Sequence, residues 1–168
     1  RTGIIDALRA MGGSIELSAT HSIAGEPVGD IRVQHSPLCG TSIGGPLVPR
    51  LVDEIPILAI AAAAAKGTTV IQDAHELRVK ESDRIDSSVH LARSLGANVE
   101  TTASGFTITG SPDRQRHPIT IDAQSDHRVA MSAVIGGLVN PSGALVDGIE
   151  SVATSFPNFL DLLGTLCD

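Results

Sequence analysis

The sequence predicts an α/β protein made of repeated βαβαββ units, with buried helices enclosed by sheets. Three observations predict it. "ILAIAAAAA" at Ile57–Ala65 and "VAMSAVIGGLV" at Val129–Val139 are apolar all round, as helices are when they are covered on every side. Between them, Arg84–Leu95 is amphipathic: Ile85, Val89, Ala92 and Leu95 follow helical spacing, which predicts an outer helix. Third, short signatures recur at one interval. Ser36-Pro37 returns as Ser111-Pro112 and Asp53 as Asp126, 75 and 73 positions on.

Taken in order, the first segment has the character of the middle of a helix and ends at "MGGSIE", Met11–Glu16, a helix-end signal repeated at "LGANVE", Leu95–Glu100. "IRVQHSP" at Ile31–Pro37 resembles "FTITGSP" at Phe106–Pro112, so both read as strands leaving a unit. "SIGGPLVPR" at Ser42–Arg50 reads as an ordinary Gly/Pro-rich connection. Gly67-Thr68 ends the first apolar helix and opens the strand "TTVI". Ser82 or Asp83 caps the amphipathic helix and Gly96 closes it. "NVET" and "FTIT", separated by "ASG", read as a hairpin, and "ITI" at Ile119–Ile121 as the strand before the second apolar helix. The unit thus occurs once in full and partly on both sides.

Composition narrows the function. The 168 residues are 42% hydrophobic, with three Phe and no Trp or Tyr, so the core is aliphatic and alanine-rich. A net charge of -7 argues against nucleic acid as a partner. No apolar run reaches membrane-spanning length, and no signal peptide is visible, so a cytoplasmic location is expected. Cys39 and Cys167 lack metal-ligand spacing, and no HxH, HxxE or Cys/His cluster points to a metal. Phosphate-loop, dinucleotide and nucleophile-elbow motifs are missing too. The chain begins at Arg1 rather than Met and reads as a piece of a longer protein.

The charges are concentrated at helix starts: "VDEIP", "KESDR", "QSDHR" and the polar "ATSFP". Ser82, Asp83, Ser125 and Ser155 read as caps. Lys80, Arg84 and Arg128 do not, because cations there oppose the helix dipole unless an anion is shared with the backbone N–H groups. A local Glu81–Arg84 pair at i, i+3 accounts for only part of the cluster. Glu81 and Asp53 are the candidate proton-transfer carboxylates beside this anion site, with His75 and His127 weaker candidates.

"LRVKESDRI", "DHRVAMS", "VDEIPILAIAAAAAKGTT" and "ATSFPNF" together resemble the enolpyruvyl transferases of aromatic amino-acid synthesis, over nearly the whole chain. The resemblance implies transfer of the enolpyruvyl group of phosphoenolpyruvate to the 5-hydroxyl of shikimate 3-phosphate with release of phosphate, and no metal or organic cofactor. It implies an inside-out α/β barrel domain of three units, of which residues 1–168 are most of one C-terminal domain. The partner domain supplies the remaining ligands. By position, Asp53 corresponds to the proton acceptor that contacts the shikimate hydroxyl, and Glu81 to the proton donor. Lys80 corresponds to a shikimate-site lysine, and Arg84 and Arg128 to arginines holding phosphoenolpyruvate. Thr154 stands where some members have a third cation. The sister transferase acting on a UDP-sugar shares the fold but is not associated with "RVKESDR" and "DHR". A non-catalytic binding fragment is the other alternative.

Overall fold

The computed structural model describes residues 2–111 and 117–166. Pro112 of the recurring Ser-Pro pair and Cys167 lie outside them. The first helix, α1 (Gly3–Ala10), leads into the long hairpin β1 (Ser14–Ile23) and β2 (Glu26–Gln34). The complete unit follows: β3 (Ser42–Ile43), α2 (Ile55–Ala64), β4 (Gly67–Ile71), α3 (Arg84–Ser94), β5 (Asn98–Thr102) and β6 (Gly105–Gly110). The next unit begins with β7 (Ile119–Asp122), α4 (His127–Val139) and β8 (Ala144–Asp147), and α5 (Phe159–Gly164) closes the described chain.

The repeat is visible in the pairing. β3 runs parallel to β4 across α2, and β7 runs parallel to β8 across α4. In the complete unit the sheet order is β3-β4-β6-β5, with β6 antiparallel to both neighbours. α1–β1 and α3–β5 share one helix ending. Gly12 and Gly96 take φ of +90° and +82°, and Arg9 and Arg93 reach forward to the carbonyls of Ile15 and Val99. A left-handed backbone at that position is why glycine stands there twice.

"SIGGPLVPR" is more than a connection. Ser42 and Ile43 form β3, and Gly45–Arg50 winds into a 3-10 turn. At Gly44 an added Cβ would lie 2.6 Å from Gln72 Cγ and would push that side chain aside, and the Gly45 N–H donates to Asp73 at 2.9 Å.

α2, α3 and α4 pack on one another. Alanines Ala59, Ala62, Ala63, Ala92, Ala130 and Ala133 are fully buried, which lets the helix axes approach closely. Gly136 of α4 faces Ile60 and Leu95, where an added Cβ would come within 3.2 Å of Ile60 Cδ1. The sheet contributes Ile71, Phe106 and Ile108 to the same core. α3 buries more than an outer helix was expected to, and leaves one exposed stripe, Asp86, His90 and Arg93.

The two apolar helices are buried to different degrees. Seven α2 residues are buried; Ile57, Ala61 and Ala64 form a half-covered stripe. On α4, Met131 and Ile135 are half-covered and Leu138 is 57% exposed. With Leu8 and Leu38, the α2 stripe and Ile135 of α4 line an open apolar groove. Uniform apolarity thus marks surface that this chain alone does not cover. The β1–β2 hairpin is similar: every β2 residue is exposed, and β2 has no second strand partner among the described residues.

Candidate functional site

The charged segment before α3 folds as a 3-10 turn over His75–Val79 and then bends through residues 80–82 to the helix start at Arg84. Asp83 caps α3, its Oδ1 accepting the N–H groups of Ile85 and Asp86. Its other oxygen pairs with Arg78 at 2.8 Å, and that hydrogen bond raises the Arg78 pKa. Ser82 does not cap. Its hydroxyl donates to Asp126 Oδ2 at 3.0 Å and lies 3.2 Å from Ser87 Oγ.

At α4 the cap is Asp126, not Ser125: its Oδ1 accepts the N–H groups of Arg128 at 2.9 Å and Val129 at 3.4 Å. Gln124 and Ser125 both hold left-handed backbone, φ +51° and +59°, which turns the chain so that Asp126 points inward. Ser155 caps no helix; it ends a 3-10 turn, and α5 starts at Phe159. Because Asp83 and Asp126 occupy the first N–H groups, those donors are not free for an external anion. The expectation that backbone and arginine share one anion is corrected in that respect.

The predicted residues Asp53, Lys80, Glu81, Arg84 and Arg128 do come together. Arg84 is the centre, its side chain 1% exposed. Its Nε donates to Asp126 Oδ2 at 2.8 Å, its Nη1 to Asp53 Oδ1 at 2.9 Å and its Nη2 to Glu81 Oε2 at 2.6 Å. The Glu81–Arg84 pair read from i, i+3 spacing therefore exists, as one of three. A guanidinium is always charged and presents a fixed fork, so burial with several carboxylates suits it. The two remaining cations lie nearer the surface. Lys80 Nζ is 3.8 Å from Asp53 Oδ1, and Arg128 Nη2 is 3.6 Å from Asp53 Oδ2. Arg128 also faces Glu54 at 3.6 Å. These are long contacts from side chains about one-third exposed, 30% and 33%, so both cations can meet a ligand with little rearrangement.

Asp53 does not cap α2, where Glu54 is the flanking residue and makes no side-chain cap. It is instead the carboxylate that Lys80, Arg84 and Arg128 share. A cleft of about 200 Å³ opens beside it, walled by Asp53, Glu54, Arg128 and the apolar Ile57, Met131 and Phe159. Glu81, 52% exposed, stands at the rim. Thr154 is exposed and its hydroxyl donates to the Ser151 carbonyl, so it supplies no cation.

The sequence reading missed Asp126 as part of this cluster. It is fully buried. Burial raises its pKa, but hydrogen bonds from Arg84, the Arg128 N–H and Ser82, with the Arg84 charge, outweigh that and hold the carboxyl below its ordinary value. The signal for it was the Asp two residues before Arg128, the same kind of helix-start Asp already recognised at Asp83.

The arrangement gathers three cations around one shared carboxylate on an inside-out α/β unit, a combination suited to anionic ligands and proton transfer. The family model of EPSP synthase (3-phosphoshikimate 1-carboxyvinyltransferase) matches residues 1–163. The chain belongs to the EPSP synthase family. Relatives named 3-phosphoshikimate 1-carboxyvinyltransferase include those of Geobacter sulfurreducens, 48% identical over 97% of this chain, and Synechococcus sp., 46% identical over 99%. A solved EPSP synthase from Acinetobacter baumannii superposes with a TM-score of 0.92 at 37% identity, covering 98% of this chain. The chain spans 38% of the length of each of these three proteins.

Proposed function

We propose that the protein carrying this chain transfers the enolpyruvyl group of phosphoenolpyruvate to the 5-hydroxyl of shikimate 3-phosphate, releasing phosphate, in the cytoplasm. The observation that carries this reading is the convergence of Lys80, Arg84 and Arg128 on Asp53, with Glu81 at the rim. Two anionic substrates need cations; enol ether formation needs a base for the hydroxyl and an acid for the methylene carbon. Asp53, held between cations, accepts the hydroxyl proton as that oxygen bonds to the phosphate-bearing carbon of phosphoenolpyruvate, and Glu81 protonates the methylene carbon; the adduct then expels phosphate and gives back one methyl proton, which restores the double bond. Lys80 contacts shikimate 3-phosphate, while Arg128 and Arg84 hold phosphoenolpyruvate. Arg84 is enclosed by carboxylates, of which Glu81 alone is exposed by more than half. A substrate carboxylate therefore reaches Arg84 by taking the place of Glu81, which frees Glu81 for proton transfer.

Residues 1–168 form most of one domain, and a second domain of the same protein supplies the other wall of the site. The open groove on α2 and α4 and the uncovered hairpin support this, since each leaves apolar surface that further chain would bury. The test is to mix the full-length protein and, separately, the 168-residue chain with both substrates and follow phosphate release. Turnover by the full-length protein and none by the chain is expected. Turnover with a UDP-sugar in place of shikimate 3-phosphate, or no turnover with either, overturns the reading.

A further inference from the structure

We infer that Asp126 is a positioning residue that sets Arg84 and Arg128 at once, an inference that rests on the function proposed above. It is fully buried, so it touches no substrate and acts only through its neighbours. Its Oδ2 receives Arg84 Nε and the Ser82 hydroxyl; its Oδ1 receives the N–H groups of Arg128 and Val129 and, at 3.4 Å, Arg84 Nη2. One carboxylate thereby joins the start of α3 to the start of α4. Fixing Nε on Asp126 decides where the rest of the fork points: Nη1 to Asp53 and Nη2 to Glu81, the proposed base and acid.

A cap alone does not need a charge, since Asn caps as well as Asp. That equality separates the two roles. Asp126→Asn and Asp83→Asn both keep a cap, so what differs between them is the buried charge at α4 and the exposed one at α3. In the full-length protein, Asp126→Asn is expected to lower kcat/KM roughly tenfold to a hundredfold, the scale of one hydrogen bond to a charged group. Asp83→Asn is expected to stay within about twofold, because exposed ion pairs contribute little.

The second readout does not depend on activity. In nitrogen-15-labelled full-length protein, the Arg84 Nε–H should be protected from solvent exchange, and Asp126→Asn should abolish that protection. Retained protection with kcat/KM within twofold of the parent overturns the inference. If Asp126→Asn does not fold, Ser82→Ala removes one donor to the same oxygen. It should lower kcat/KM several-fold while kcat/KM of Asp83→Asn stays level, and no change overturns the inference. If the parent protein transfers no enolpyruvyl group, the functional reading fails, whereas the Arg84 signal still decides whether Asp126 holds the guanidinium.

Discussion

The starts of α3 and α4 use the same device in two environments. Each has an Asp at the cap whose one oxygen accepts two backbone N–H groups while the other accepts an arginine. At α3 the arginine is Arg78, and the pair is about one-third exposed to water. At α4 it is Arg84, from another helix, and the pair is sealed in the core. The motif is local, but its energetic weight is set by burial. Water screens much of the first pair, whereas loss of either partner of the second takes a strong hydrogen bond from a buried charge and leaves it to its remaining partners.

The largest expected effect tests the division of labour between the two starts in the full-length protein. If proton transfer belongs to the α3 side, Glu81→Gln should lower kcat by about a hundredfold to ten-thousandfold and leave KM nearly unchanged. A raised KM with kcat intact would make Glu81 only the partner of Arg84.

Stability comes next. Asp126→Ala should cost about 3–5 kcal/mol, because Arg84 stays buried with one partner gone. Asp83→Ala should cost about 1 kcal/mol, the value of a helix cap. Urea unfolding of the two variants gives the difference directly, and equal losses would erase the contrast.

Smaller again is the effect expected at Arg128 of α4. Arg128→Lys keeps the charge and loses the planar fork, so KM for phosphoenolpyruvate should rise roughly tenfold to a hundredfold with a lesser change in kcat. Steady-state kinetics at varied phosphoenolpyruvate checks it.

The least effect is the pH dependence. The Asp126 pKa is lowered on folding, so its contribution to stability is full above its ordinary value of 3.8 and is lost as pH falls through the lower folded value. The stability gap between the parent and Asp126→Asn should be flat at higher pH and narrow only as pH falls below 3.8. A gap that closed at neutral pH would contradict the lowered pKa.

Local signals were legible in the sequence. The span of α3, the β5–β6 hairpin, the glycine endings at Gly12 and Gly96 and the Asp83 cap each depend on residues a few positions apart. So did the motifs that identify the family, because Lys80, Glu81 and Arg84 lie within five residues. Tertiary structure alone decided the rest. Arg84 meets Asp53 and Asp126 across 31 and 42 positions, and no local pattern tells a buried guanidinium from an exposed one. The choice of Asp126 over Ser125 as cap follows from two left-handed residues that no glycine announces. The apolar faces of α2 and α4 were legible as apolar, but what covers them depends on neighbours. Hydrophobicity records that a surface avoids water, and only packing settles which surface meets it.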